Sequence, residues 1–128
     1  VAVVTQDMPA DSQAEVLQAV RARETILSTG IGYGVAIPHG KTGTVSEIRM
    51  AAGRSTEPIE FDALDGTPVQ LFFLLIGPEA SAGPHIKALS RISRLVRRED
   101  VRARLIEAQD RAAFLDALQA AEERATEA

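Results

Sequence analysis

Residues 68–76 read PVQLFFLLI and form the most apolar stretch of the chain. From Leu71 to Leu75 every residue is apolar, without alternation, which is typical of a strand buried on both faces. Such a strand belongs in a sheet that is covered on both sides, and the run is too short to span a bilayer. The stretch therefore predicts an α/β protein, a small mixed β-sheet flanked by helices on both sides, with no direct membrane insertion.

Three shorter segments are predicted to be extended. Residues 35–37 read as a buried strand that ends at Pro38, because proline has no N–H to donate to a ladder. Residues 45–52 read as a further strand and residues 58–61 as a short extended segment. Residues 39–43 are predicted to form a loop, since they contain two glycines and no apolar residue.

Helices are predicted before and after these strands. Apolar residues recur at three- and four-residue spacing over residues 12–25 and again from His85 to Val96. Two more helices are expected towards the carboxyl end. The predicted N-caps are Asp11 or Ser12 for the first helix, and Asp100 and Asp110 for the last two.

Composition narrows the class of protein. The 128 residues are 45% hydrophobic and 25% charged, which predicts one globular domain over residues 1–128. A net charge of −4 and only 4% aromatic residues argue against nucleic-acid binding. The absence of cysteine excludes a disulfide scaffold, a thiolate metal site and a cysteine nucleophile. No signal peptide is visible, and we expect a cytoplasmic protein.

Two glycine patterns resemble nucleotide-binding motifs only in part. Gly30, Gly32 and Gly34 form G-x-G-x-G, not G-x-G-x-x-G, and precede a strand. Residues 34–42 read GVAIPHGKT, with five residues between the glycines where a P-loop needs four. A zinc site is also disfavoured, because the two histidines lack cysteine partners and HExxH spacing. We therefore expect no cofactor and no metal.

The two histidines are the candidate site residues. His39 and His85 each follow a proline, and each lies at a predicted loop boundary. His85 begins a helix whose first turn, with Lys87, offers free N–H groups and a positive dipole end to an anion. A neutral imidazole is a nucleophile at pH 7, and a second one can stabilise charge on a phosphoryl group. The pair therefore suggests phosphate chemistry, although hydrogen-bonded structural histidines would give the same pattern.

A longer pattern surrounds the first histidine. Six residues separate Glu24 from Ile31-Gly32, and two residues separate Gly32 from VAIPHG at residues 35–40. This pattern resembles the active-site signature of the EIIA component of the phosphoenolpyruvate-dependent sugar phosphotransferase system, of the fructose, mannitol and nitrogen-regulatory type (EIIA type 2). Residues 23–41 are most similar to the nitrogen-regulatory branch. The resemblance covers roughly Asp11 to Glu122, and residues 58–69 and 85–95 support it.

The resemblance implies a fold and a set of roles. The fold would be the mannitol-IIA-like mixed sheet, with an N-terminal portion shorter than is usual for the family. His39 would accept a phosphoryl group on Nε2 from phospho-HPr or its nitrogen-branch homologue. His85 would help to hold the phosphohistidine, and Arg23 would be the active-site arginine, whose guanidinium fork suits phosphoryl oxygens.

The same resemblance implies what happens to the phosphoryl group. It would pass to the cysteine of an EIIB domain, as in sugar transport, or act as a signal to a regulatory target protein, as in nitrogen regulation. The chain would then be a phosphocarrier, a transferase that is not a metabolic enzyme on its own and needs no metal or nucleotide. The sequence favours the regulatory role. The alternatives are a protein-interaction module without chemistry and, third, a nucleotide-binding protein.

Two surfaces are also predicted. Tyr33 and Ile31 are candidates for an apolar patch around His39 on which a partner docks, and either could instead be loop packing. A cluster of arginines on the late helices is expected to be a solvated face paired with acidic neighbours, or else a docking surface for an acidic partner. Its members are Arg91, Arg94, Arg97, Arg98, Arg102 and Arg104, and the acidic neighbours are Glu99, Asp100 and Glu107.

Overall fold

The computed structural model describes residues 1–26, 28–80 and 82–127 of the chain. A short 3₁₀ helix precedes the first α-helix, and five strands and three more α-helices follow. The elements are the 3₁₀ helix Ala2–Thr5, α1 Ala10–Ile26, β1 Gly30–Gly32, β2 Val35–Ala36, β3 His39–Lys41, β4 Arg49–Ile59, β5 Val69–Gly77, α2 Ala82–Val96, α3 Glu99–Glu107 and α4 Arg111–Glu127.

The apolar strand β5 lies at the centre of the sheet. On one side it pairs in parallel with β2, where Val35 is opposite Leu71, and further along with β3, where His39 is opposite Leu75. On its other side it pairs antiparallel with β4, and β1 pairs antiparallel with β2. The sheet is therefore mixed, as the sequence predicts.

Helices cover both faces of the sheet. On one face, Leu71 and Phe73 pack in a buried cluster with residues of α2, α3 and α4. On the other face, Leu74 and Ile76 pack with α1 and with the 3₁₀ helix. The alternation of β5 side chains between two apolar layers explains why its sequence shows no polar face. The predicted α/β fold with helices on both sides is thus confirmed.

Two strand predictions are corrected. Residues 39–41 form strand β3 instead of a loop, because their backbone pairs with the end of β5 and Pro38 interrupts the ladder at one residue only. The two extended segments expected at 45–52 and 58–61 are replaced by the single strand β4. Its pairing with β5 shifts register between Arg54 and Ile59, the interval that contains Pro58.

The helix starts also differ from prediction, except for the last. Helix α1 begins at Ala10, so Asp11 and Ser12 lie inside its first turn, and α2 begins at Ala82, before His85. Asp100 is not an N-cap either, because α3 already begins at Glu99. The cap of α4 is confirmed: the Ala113 N–H donates to Oδ1 of Asp110 at 2.8 Å. None of the helices in the described ranges combines the length and apolar character needed to cross a bilayer.

Candidate functional site

The fold brings the two histidines into contact. His39 is the first residue of β3, and His85 lies in the N-terminal part of α2. Their ring centroids are 5.3 Å apart, and the rings meet edge to face at 62°. Residues far apart in sequence therefore form one cluster, at the end of the sheet where β3 pairs with the last residues of β5.

Backbone hydrogen bonds fix the orientation of His39. Its Nδ1 lies 2.8 Å from the carbonyl oxygen of Ile37. Because a carbonyl oxygen can only accept, Nδ1 carries the proton and Nε2 carries the lone pair in the neutral ring. The preceding backbone is held as well: the Ile37 N–H donates to Thr29 and the Leu75 N–H to Pro38, both at 3.0 Å. The half-buried imidazole is thus held in one tautomer.

His85 is buried without hydrogen bonds. It is 3% exposed, and neither Nδ1 nor Nε2 has a partner among the described residues. Burial lowers the pKa of His85 below its ordinary value, and the nearby charges of His39 and Lys41 lower that pKa further. A buried polar group without a partner costs about 1–3 kcal/mol. A neutral imidazole beside His39 is therefore available to a bound ligand.

Arg23 lies on the helix that covers β3. A Cβ added to Gly40 would come within 3.1 Å of the backbone of Ala19 and Val20, so α1 and β3 are in close contact there. Arg23 follows one turn later, half-buried in the last turn of α1. Successive strand residues face opposite sides, so Gly40 faces α1 and His39 faces α2. Among the described residues β3 pairs with β5 alone.

The carboxylate of Glu24, which appeared above only as part of a motif, stabilises the backbone that positions His39. Glu24 accepts hydrogen bonds from the Thr29 N–H at 2.9 Å and from the Thr29 hydroxyl at 2.5 Å. Thr29 in turn accepts the N–H of Ile37, whose carbonyl orients His39. The sequence pattern included Glu24 without a role, and only the fold identifies Thr29 as the link between this carboxylate and His39.

The surroundings of the two rings suit an anion. Lys41 is exposed two residues after His39 and on the same face of β3. His85 is near the amino end of α2, where the helix dipole is positive. A nitrogen lone pair on His39, a second imidazole and this positive potential suit nucleophilic transfer of a phosphoryl group.

The predicted docking patch around His39 is corrected. Tyr33 and Gly34 form the tip of the β1–β2 hairpin, where Gly34 accepts the N–H of Leu71 near the start of β5. His39 pairs four residues further along β5, or about 13 Å away. The Tyr33 ring stacks instead with the Arg102 guanidinium at 4.7 Å, and Ile31 packs against the core.

One exposed apolar residue adjoins the second histidine in sequence. Ile86, which follows His85 in α2, is 64% exposed. Its exposure was not predictable from the sequence, because its place in the apolar pattern of α2 predicts burial.

A mixed sheet with helices on both faces, and two histidines in contact beside the end of its central strand, defines an α/β protein with a candidate histidine-centred site for an anion. The sequence model described as "Phosphoenolpyruvate-dependent sugar phosphotransferase system, EIIA 2" matches residues 1–121. The chain belongs to this family, which confirms the resemblance noted in its sequence.

Relatives within the family carry two kinds of name. A nitrogen regulatory protein of Bradyrhizobium diazoefficiens is 38% identical over 88% of this chain and 73% of its own length. A fructose-specific EIIA component of Haloferax volcanii is 41% identical over 84% of this chain and 70% of its own length. A fructose-specific EIIABC component of Bacillus subtilis is 42% identical over 77% of this chain, which spans only 16% of that protein.

Solved structures show the same fold. The nitrogen regulatory protein IIA-Ntr of Neisseria meningitidis superposes with a TM-score of 0.76 at 38% identity, covering 82% of this chain and 70% of that one. IIA mannitol of Escherichia coli has a TM-score of 0.68 at 21% identity, covering 81% of this chain and 74% of that one, and supports the fold alone.

Proposed function

We propose that this chain is a phosphoryl carrier whose His39 accepts a phosphoryl group on Nε2 from phospho-HPr or its nitrogen-branch homologue. The observation that carries the proposal is the hydrogen bond from Nδ1 of His39 to the Ile37 carbonyl. It leaves Nε2 as the nitrogen with a free lone pair, next to a second neutral imidazole. Membership of the EIIA 2 family supports the same chemistry.

The transfer step follows from this tautomer. The Nε2 lone pair of His39 attacks phosphorus as the P–N bond to the donor ring breaks. The donor ring, protonated on its other nitrogen, leaves as neutral imidazole with the electron pair of that bond. His39 keeps its proton on Nδ1, where the Ile37 carbonyl stabilises the positive charge that the ring acquires. No metal or cofactor takes part, since positioning and electrostatics supply the catalysis.

His85 and Arg23 hold the transferred group. An N–H of neutral His85 donates to a phosphoryl oxygen, which gives this buried ring the hydrogen bond that it lacks among the described residues. Arg23, in the last turn of α1, is the second proposed partner of the phosphoryl oxygens through its guanidinium fork, and this role requires its side chain to extend around the edge of β3.

The phosphoryl group serves regulation in preference to sugar uptake. The similarity of residues 23–41 to the nitrogen-regulatory branch supports this role, as do relatives named nitrogen regulatory protein at 38% identity. The proposed recipient is then a regulatory target protein in the cytoplasm. Passage to an EIIB cysteine is the second candidate, favoured by the 41% identity to a fructose-specific EIIA component. A solved complex of IIA mannitol with phosphorylated IIB mannitol shows such a partner for a protein of this fold.

The acceptor is tested by intact mass. The protein is incubated with phosphoenolpyruvate, enzyme I and HPr, beside His39→Ala and His85→Ala variants. We expect one acid-labile phosphoryl group on the parent, none on His39→Ala, and slower gain on His85→Ala. A parent that stays unmodified by a donor shown to phosphorylate another EIIA protein would overturn the carrier role and favour the interaction module without chemistry. Modification of His39→Ala would refute the choice of acceptor.

A further inference from the structure

The outer face of α2 carries a row of positive charges. Lys87, Arg91 and Arg94 are spaced four and three residues apart, so they lie on one side of the helix over about 11 Å. All three are exposed, whereas His85 and Ile92 on the opposite side are buried. We call Lys87, Arg91 and Arg94 the basic stripe.

Among the residues that the structure describes, the charges of the basic stripe have no ion-pair partner. No aspartate or glutamate occurs between Glu79 and Glu99. Of the pairings expected between the arginine cluster and its acidic neighbours, the described part of the chain shows that of Arg98, which lies 3.3 Å from Asp100.

We propose that the basic stripe is a docking surface for a protein with an acidic face. Like charges at three- and four-residue spacing on one helix repel each other by about 0.2–0.5 kcal/mol per pair, and the sequence of α2 contains no carboxylate that offsets this repulsion. Charge complementarity with a partner turns that repulsion into attraction and speeds association.

An acidic protein fits the stripe better than a nucleic acid or a membrane does. Three charges over two turns match a few carboxylates on one protein element, whereas a polyanion would also meet the overall negative charge of the chain. The exposed side chain of Ile86 adjoins the stripe and supplies the apolar contact that protein interfaces combine with charge. Because His85 and the stripe lie on opposite sides of α2, the partner leaves His39 accessible.

The test uses a short oligoglutamate peptide, which carries only a few carboxylates, as the acidic probe at physiological salt. Its affinity is measured by calorimetry, and its site by amide chemical shifts, for the parent, Arg91→Glu/Arg94→Glu and the control Arg104→Glu/Arg111→Glu. The control makes the same change of charge at exposed positions of α3 and α4. We expect shifts around residues 87–94, a loss of about tenfold or more for the stripe variant, and weaker binding at higher salt. The control should lose less than about threefold.

Three results would overturn the proposal. They are equal losses in both variants, shifts outside α2, and tighter binding of poly-U RNA or phosphatidylserine vesicles at the same charge concentration. Circular dichroism of both variants checks that they fold. His39→Ala should bind the probe as the parent does, so the inference can fail or hold independently of phosphoryl transfer to His39.

Discussion

At the scale of single residues, the site depends on the contrast between two imidazoles. His39 is held by one backbone hydrogen bond, whereas His85 is buried with none among the described residues. The sequence predicted both as site residues, because each follows a proline at the edge of an element. It could not predict the tautomer of His39, because the fold sets the backbone conformation that brings the Ile37 carbonyl to Nδ1. It could not predict the desolvation of His85 either, because that depends on groups distant in sequence.

Burial of His85 predicts a pH dependence of stability. The pKa of His85 is lowered in the folded protein, so the unfolded chain binds more protons as the pH falls through its ordinary value of about 6.5. The folded protein therefore has its full stability with respect to His85 above that pH, where the ring is neutral, and loses part of it as the pH falls and the ring must be protonated. Urea unfolding from about pH 8 to pH 5 should show a falling free energy of unfolding, and His85→Gln should reduce the slope.

Asp7→Asn serves as the control for this experiment. Its hydrogen bonds to Arg49 lower the pKa of Asp7, so this carboxylate stays ionised over the whole range. The Asp7→Asn variant should therefore keep the slope of the parent. An unchanged slope in His85→Gln would mean that His85 is not the group that titrates.

At the scale of elements, two features determine the structure around the site. The first is the packing of α1 against β3, and the second is the pairing of β1 with β2 in a hairpin. The glycines of residues 30–40 excluded a helix, but they did not show that residues 39–41 form a strand. Strand β3 exists because the end of β5 offers it a partner, a tertiary effect that local sequence does not contain.

Replacement of Gly40 should separate β3 from α1. A Cβ at this position would lie 3.1 Å from the backbone of Ala19 and Val20, which cannot move as a side chain can. We expect Gly40→Ala to lower the free energy of unfolding by about 1–3 kcal/mol in urea denaturation. Gly43→Ala is the matched control, since nothing lies within 4 Å of its added Cβ. Equal effects in the two variants would argue against the tight α1–β3 contact.

The backbone geometry of the β1–β2 hairpin predicts how replacing Tyr33 changes stability. Tyr33 has φ 59° and Gly34 φ 75°, the left-handed pair that a two-residue type I′ turn requires and that Asn-Gly satisfies best. Tyr33→Asn relieves this strain but loses the stacking with Arg102. We therefore expect Tyr33→Asn to stabilise the Arg102→Ala background by about 1 kcal/mol, and the parent by less. The same gain in both backgrounds would mean that the stacking contributes nothing.

At the scale of the whole molecule, the fold class was predictable from one strand. The unbroken apolar run of β5 required cover on both faces, and the structure provides it with α1 on one face and α2, α3 and α4 on the other. The order of the strands was not predictable from the residues, because pairing partners depend on how distant segments meet. The same limit explains why Tyr33 was placed near His39 although the hairpin extends away from it.

The regiochemistry of phosphorylation tests the central claim most directly. The parent is phosphorylated by phospho-HPr and its phosphohistidine is examined by nitrogen NMR with ¹⁵N-labelled imidazole rings. The hydrogen bond from Nδ1 of His39 to Ile37 predicts phosphorus bound to Nε2 of His39, with the proton retained on Nδ1. Phosphorus on Nδ1 of His39, or on His85, would contradict the account.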